Sequence, residues 1–374
     1  MKRVVILGST GSIGRATLDV IRMYPERFTV VGMSAKTNYK LLLKQASEFG
    51  VNMLALTNPD NIDSLNNNIL TGDKSAVELV RETAPDIVIN GITGSAGFLP
   101  SMEAIKQKAR LALANKESLV IGGKFITEEA KKNNVAVIPV DSEHSAIFQC
   151  LAGEFQKDIR RIILTASGGP FRDAPKHTFK DITPKQALRH PTWQMGKRIT
   201  IDSATMMNKG LEIIEASWLF NIGAERIDIV IHPKSIVHSM VEFKDTSIKA
   251  QMGNPDMKLP IAYALNWPAR QTLPLKSLDL EQSLTLEFFP PDEDKFPAIK
   301  LAREAMGMPD TMPCIMNAAD EVAVDAFLNK RLRFDQIVPL IKRVMDRLSE
   351  TDVTGPTELL ELDKQARIIA RTFI

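Results

Sequence analysis

Two carboxylates stand one residue apart in Asp141-Ser142-Glu143-His144, a stretch that follows an apolar run at Val135 to Ile138 and precedes a helical pattern. In an extended chain alternate side chains share a face, so Asp141 and Glu143 would point together with Ser142 opposite. Paired anionic oxygens repel unless a cation lies between them, and a hard divalent ion such as Mg2+ or Mn2+ accepts an all-oxygen set. The thiolate and imidazole donors that zinc prefers are absent. The same residues also suit a plain loop in which Asp141 or Ser142 caps the next helix. A third carboxylate is available in Asn208-Lys209-Gly210-Leu211-Glu212-Ile213-Ile214-Glu215. At helical pitch Asn208, Glu212 and Glu215 fall on one face with Lys209 at its edge, and apolar residues cover the remainder. A helix so apolar elsewhere has little surface to spare for charges, so Glu212 is the candidate third ligand. A surface helix with a Lys209–Glu212 pair is the alternative.

The elements that must position these groups begin with a short buried strand, Arg3 to Leu7, a Gly8-Ser9-Thr10-Gly11-Ser12-Ile13-Gly14 turn, and a helix to about Arg22. Strand, glycine turn and helix N-terminus together form a pyrophosphate site, although the spacing is G-x-x-G-x-x-G. A second strand, Phe28 to Met33, ends in Ser34-Ala35-Lys36-Thr37-Asn38, basic and hydroxylic where an NAD protein carries an acid. Lys36, Thr37 and Asn38 suit a 2'-phosphate, which favours NADPH. Further strand and helix alternation predicts a parallel sheet. The small-residue loop Asn90 to Gly97 and Asn115-Lys116-Glu117-Ser118 lie at later strand ends. Lys116 and Glu117 either share a polar cavity or mark a helix N-terminus.

A run without clear periodicity from Ala166 to Arg198 reads as an active-site lid carrying His190-Pro191-Thr192-Trp193 and Gly196. Ser167, Ser203, Asn208 and Lys209 are donors of the kind a phosphate monoester needs. Strands follow at Ile227 to Ile231, Val237 to Phe243 and Ile248 to Met252. His232 and His238 between and within them read as structural. A connector from Gln271 to Pro291 precedes four helical patterns, whose Asp320, Glu321 and Asp325 read as solvated faces. The fold class is therefore α/β, with an amino-terminal Rossmann-like parallel sheet, a central α/β catalytic domain with a lid loop, and a carboxyl-terminal helical bundle. Expected limits are 1–148 for the NADPH domain, 149–270 for the catalytic and dimerisation domain with its lid at about 166–198, 271–291 for the linker and 292–374 for the helices.

Composition narrows the class. The 374 residues are 44% hydrophobic and 25% charged with net charge +2, ordinary for a globular protein of two or three domains and without a basic groove for nucleic acid. Two cysteines make no disulfide framework and suit a reducing compartment. No hydrophobic or Arg-rich leader precedes the strand at Val4, and no stretch is long enough to span a bilayer. The expectation is a cytoplasmic protein with no membrane partner.

In this order, Gly8 to Gly14, Asn115-Lys116-Glu117, Asp141 to His144, Ser167-Gly168-Gly169-Pro170 and Asp202 to Glu212 resemble the 1-deoxy-D-xylulose 5-phosphate reductoisomerase family, and the likeness runs the whole length. The resemblance implies a homodimer that uses NADPH and Mg2+ or Mn2+ to make 2-C-methyl-D-erythritol 4-phosphate for isoprenoid synthesis. It places metal ligands at Asp141, Glu143 and Glu212. Substrate contacts fall at Lys116, Ser142, Glu143, Ser167, His190, Ser203, Asn208, Lys209 and Glu212. Cofactor contacts fall at Thr10, Gly11, Ser12, Ile13, Asn38, Asn115, Glu117 and Gly196. Many members have Gly-Lys-Asn or Gly-Arg-Asn where this chain has Lys36-Thr37-Asn38. The implied chemistry is metal polarisation of the ketone, retro-aldol cleavage and re-addition or direct migration, then reduction of a branched aldehyde. Lys116 would stabilise oxyanion charge, Glu143 or His144 would assist proton transfer, and His190 would close over the substrate. A plain NADP-linked dehydrogenase without metal and a non-catalytic dinucleotide sensor are the rival readings.

Overall fold

Val4, Val5, Ile6 and Leu7 are wholly shielded from solvent, as the middle strand of a parallel sheet covered on both faces requires. The computed structural model describes residues 1–59, 69–190, 193, 195–348 and 353–374. Its chain divides into two compact units: Met1–Ser118, Phe125–Ser145 and Asp256–Leu275 form the first, and Leu119–Lys124, Ala146–Pro255 and Lys276–Ile374 the second.

The first unit runs β1 (Lys2–Leu7), α1 (Ser12–Met23), β2 (Phe28–Ala35), α2 (Tyr39–Phe49), β3 (Leu54–Leu56), β4 (Ile69–Thr71), α3 (Ser75–Thr83), β5 (Ile87–Asn90), α4 (Phe98–Lys106), β6 (Arg110–Leu113), α5 (Lys116–Asn133) and β7 (Val137–Pro139). All seven strands are parallel, in the order β4-β3-β2-β1-β5-β6-β7. The order reverses between β1 and β5, and such a switch point opens a crevice at the carboxyl ends of the strands. The glycine turn sits there. A Cβ on Gly14 would lie 2.4 Å from the Gly8 carbonyl oxygen, so only glycine lets α1 start this close to the turn. The short strand β4 has no counterpart in the sequence reading, because its three residues are too few to show a period.

The second unit contains α6 (Ser142–Cys150) from its fifth residue onward, β8 (Ile159–Ala166), α7 (Pro184–Ala187), α8 (Lys197–Thr205), α9 (Met207–Phe220), β9 (Ile227–Ile231), β10 (Val237–Phe243) and β11 (Ile248–Met252). The four strands form a mixed sheet in the order β11-β10-β8-β9. Helix α10 (Lys258–Asn266) belongs to the first unit, although its neighbours in sequence do not. Helices α11 (Ala298–Met306), α12 (Met312–Leu328), α13 (Ile337–Arg347) and α14 (Pro356–Arg371) complete the second unit, and α9, α11 and α12 share its apolar core.

Three expectations change. The helical pattern after His144 reads as far as Phe155 in the sequence, but α6 ends at Cys150 and Phe155 is 70% exposed. The run after Ala166 is largely built in. Phe171 and Phe179 are buried and pack on Phe296 and Phe334 at ring distances of 5.2 to 5.5 Å, and α7 carries a Thr183–Gln186 capping box. Isolated aromatics without a period gave no sign of this. Asp320 on α12 is fully buried and Glu321 largely so, while Asp325 is exposed as expected. Pro191 and Thr192 of the lid motif lie outside the described residues.

Candidate active site

In the first unit the turn between β1 and α1 is fixed from behind. Ser34 Oγ accepts from the Gly8 amide at 3.0 Å, and Gln45 bonds both the carbonyl and the hydroxyl of Ser9. Thr10, Gly11, Ser12 and Ile13 form its outer edge, with Gly11 and Ser12 exposed. Gly11 is the N-cap residue of α1, and no side chain caps that end. First-turn amides and the positive end of the helix dipole therefore face outward, which fits a pyrophosphate. Asn38 is exposed at the end of β2 and caps α2, its Oδ1 accepting from the Leu41 amide at 3.2 Å. Its amide NH2 and the exposed Lys36 and Thr37 are the donors nearest that strand end in sequence.

Asn115 and Glu117 are buried braces. Asn115 caps α5 through Ser118 and donates to the carbonyls of Ile92 and Gly94, while Glu117 accepts from the Gly94 amide at 3.1 Å. Together they set the loop at the end of β5. Lys116 and Glu117 thus mark a helix N-terminus and are also buried, at 5% and 8% exposure, so both sequence alternatives are partly met.

Asp141 caps α6, its Oδ1 accepting from the Glu143 amide at 3.2 Å. The chain turns helical at Ser142, so Glu143 stands in the first turn of α6 instead of on an extended strand. The two carboxylates still converge, with one oxygen of each within 4.8 Å of the other. Capping and pairing coexist because Asp141, which precedes the helix, folds its carboxylate back over the first turn that carries Glu143. Ser142 Oγ donates to Glu143, Lys116 Nζ lies 2.8 Å from Asp141 Oδ2, and His144 Nδ1 lies 3.2 Å from Asp141 Oδ1. Burial pushes the Asp141 carboxyl up, but Lys116 and His144 outweigh it and hold the group well below the ordinary carboxylate range. Asp141 is an anion at neutral pH.

In the second unit α8 and α9 meet at Met206, whose φ is +62°. Helix α9 presents the polar stripe expected of it. Glu212, 1% exposed, accepts from Asn208 and Lys209, and Lys209 Nζ also donates to the Thr165 carbonyl at 2.6 Å. Glu215 is equally buried. The loop after β8 brings Ser167 to His190: the Trp193 amide donates to His190 Nδ1 at 2.9 Å, and His190 Nε2 lies 3.1 Å from Ser167 Oγ. Burial lowers the His190 pKa to about 4. The neutral ring with an accepting Nδ1 carries its proton on Nε2 and donates to Ser167. Ser167 Oγ also accepts from the Gly169 amide at 3.2 Å, so its own hydroxyl proton is directed to another acceptor. Gly169 has φ +69°, and a Cβ there would lie 2.7 Å from the Ser203 carbonyl oxygen, which locks this loop onto the end of α8 beside Ser203. Gly196, exposed, is the N-cap residue of α8.

The two units therefore carry, separately, a dinucleotide turn with an acid pair and a hydroxyl, amide and ammonium set suited to a phosphate. Family models match residues 4–123 (1-deoxy-D-xylulose 5-phosphate reductoisomerase), 137–220 (its C-terminal domain) and 252–369 (DXP reductoisomerase C-terminal domain). A protein named 1-deoxy-D-xylulose 5-phosphate reductoisomerase from Pelodictyon phaeoclathratiforme is 47% identical over 381 residues, covering 100% of both chains. This chain belongs to the 1-deoxy-D-xylulose 5-phosphate reductoisomerase family. A relative of the same name from Thermodesulfovibrio yellowstonii is 47% identical over 376 residues, covering 99% of each. Among solved structures, the Zymomonas mobilis reductoisomerase in complex with NADPH is similar with a TM-score of 0.92 at 38% identity, covering 100% of this chain and 98% of that one. A reductoisomerase in complex with NADPH, fosmidomycin and magnesium matches with a TM-score of 0.93 at 38% identity and the same coverage.

His238, read from the sequence as structural, is buried with its ring 6.5 Å from that of Trp193. A histidine inside an alternating strand carries no signal of what it faces. Glu215 was on the polar stripe but was not assigned, because one turn of helix offers two acids and only the fold ranks them.

Proposed function

We propose that this chain converts 1-deoxy-D-xylulose 5-phosphate to 2-C-methyl-D-erythritol 4-phosphate in the non-mevalonate route to isoprenoids, using NADPH and a divalent metal. Membership of the reductoisomerase family over the full length carries this reading. Asp141, Glu143 and Glu212 would hold the Mg2+ or Mn2+ ion. Their fit rests on chemistry: all donors are carboxylate oxygens, the Asp141–Glu143 pair already converges, and Asp141 is ionised. A bound divalent ion supplies Lewis-acid polarisation of the substrate ketone. Bound NADPH supplies the hydride, and Thr10, Gly11, Ser12, Ile13, Asn38, Asn115, Glu117 and Gly196 are its proposed contacts. The uncapped first turn of α1 supports this placement.

The chain's own groups have separable tasks. Ser167, Ser203, Asn208 and Lys209 bind the phosphate, and Ser167 is suited to it because His190 and Gly169 occupy its acceptor sites and leave it a donor. Neutral His190, donating from Nε2 to Ser167, is the proposed lock over the substrate. Lys116, held by Asp141, stabilises negative charge developing on substrate oxygen, and Glu143 or His144 moves the proton. Carbon–carbon cleavage and re-addition give the branched aldehyde that is then reduced. Residues 1–148 serve as the NADPH domain, 149–270 as the catalytic domain, and 292–374 as helical support.

A homodimer is part of the proposal. The edge strand β11 exposes Ile248 and Met252, apolar side chains on an unpaired rim, and light scattering at twice the chain mass is the expected result. A cytoplasmic setting agrees with two buried, unbridged cysteines. No helix among the described residues is long and apolar enough to cross a membrane. The deciding experiment follows NADPH oxidation with 1-deoxy-D-xylulose 5-phosphate, before and after chelation. Turnover is expected to vanish with EDTA and return with Mg2+ or Mn2+, and Glu212→Gln should abolish it while NADPH affinity holds. Full turnover in metal-free buffer would return the chain to the plain dehydrogenase reading.

A further inference from the structure

Helix α8 does two jobs at its carboxyl end: it carries Ser203, and its last turn is the surface on which Gly169 and the Ser167 loop rest. What holds its other end is a buried charge lattice. Arg198, in the first turn and 14% exposed at its side chain, meets Asp202 on its own helix at 3.6 Å. From α12 it meets Asp320 at 3.4 Å, Glu321 at 2.9 Å and the side-chain Oδ1 of Asn317 at 2.8 Å. Glu321 passes the chain on to Arg367 of α14 at 2.9 Å, which also pairs with Asp363. Two cations thus face four carboxyl groups. Burial pushes the Asp320 carboxyl up to about 6, with Arg198 pulling the other way.

Such a lattice adds little net stability over an apolar packing of the same shape, because desolvation cancels most of the attraction. Its planar guanidinium fork instead fixes direction. We infer that Arg198 is a positioning residue for phosphate binding: by tying the start of α8 to α12 it sets where Ser203 and the Ser167–Gly169 loop present their donors. This rests on the reductoisomerase reading for the identity of the substrate and for the residues that hold its phosphate. Arg367, one step further out, pairs with Glu321 and Asp363 and serves as the structural control.

The test uses the full chain with NADPH and Mg2+ present, and inorganic phosphate as probe, its dissociation constant read by 31P nuclear magnetic resonance. Arg198→Met together with Asp320→Asn, which removes one of the two acids left without their cation, should weaken phosphate about tenfold, as a sub-ångström displacement of a cradle does. Arg198→Lys, which keeps charge and loses the fork, should fall between. Arg367→Met should lower the melting temperature and leave phosphate affinity unchanged, and NADPH affinity should stay within about twofold in all of them. The KM for the sugar phosphate should rise with the phosphate constant. Unchanged phosphate affinity in the Arg198 variants, or an equal loss in Arg367→Met, would reduce Arg198 to a structural residue. Absence of turnover in the unaltered chain would instead overturn the proposed function, while the phosphate titration would still decide the role of Arg198.

Discussion

Removing Lys116 is the sharpest probe of the acid pair, since its ammonium group lies 2.8 Å from Asp141 with the two side chains 6% and 12% exposed. At that distance and an effective dielectric near 20 the attraction is about 6 kcal/mol before desolvation is subtracted. A buried pair gives most of that back on leaving water, so the pair as a whole is close to neutral against an apolar replacement. Breaking one side is different. Lys116→Met strands a carboxylate whose burial then pushes its pKa upward, with His144 and the Glu143 amide opposing, and the cost expected is about 3–5 kcal/mol. Lys116→Met with Asp141→Asn should recover most of it, a coupling of at least about 2 kcal/mol in a double-mutant cycle. The assay is urea unfolding by circular dichroism, in EDTA so that no metal compensates, at several pH values. The sign is set by the depressed native pKa of Asp141: its contribution is present above the unfolded value of 3.8 and lost as pH falls through the lower native value. In Lys116→Met that acid loss should begin at higher pH. A single-mutant cost below about 1 kcal/mol, or two costs that simply add, would refute the reasoning.

His190 should be neutral over the working range, with 15N nuclear magnetic resonance showing the proton on Nε2 at pH 6; a doubly protonated ring there would contradict the donor chain to Ser167. Because its pKa falls from 6.5 unfolded to about 4 folded, the unfolded chain binds more protons between those values. Stability attributable to this ring should therefore decline as pH drops from 6.5 toward 4, and His190→Asn should remove that slope. Gly169→Ala forces a left-handed backbone on alanine, at about 1–2 kcal/mol, and pushes the loop off the Ser203 carbonyl. Steady-state kinetics should show KM for the sugar phosphate raised about tenfold, and an unchanged KM would remove the loop from the phosphate site.

Much of the α/β plan was legible because it depends on local periodicity. The runs that became β1 and β9 to β11 are apolar or alternating over four or more residues, and α12 to α14 repeat at helical pitch. Charge burial was not legible. Asp320 on α12 reads as one more polar residue on a helix face, and only the approach of α8 with Arg198 turns it inward. Phe171 and Phe179 likewise sit in a stretch with no period, yet meet Phe296 and Phe334 from far along the chain.

Sequence by itself determined the donor chemistry: an acid pair at Asp141 and Glu143, a polar stripe through Asn208, Glu212 and Glu215, and a glycine turn before a helix, all of which depend on residue type and short spacing. Tertiary structure decided the state of those donors. Asp141 is an anion because Lys116, 25 residues earlier, reaches it. His190 is a neutral donor because burial strips its proton and the Trp193 amide claims Nδ1. Protonation and hydrogen-bond direction depend on what lies within a few ångströms in space, and the order of residues along a chain does not specify that.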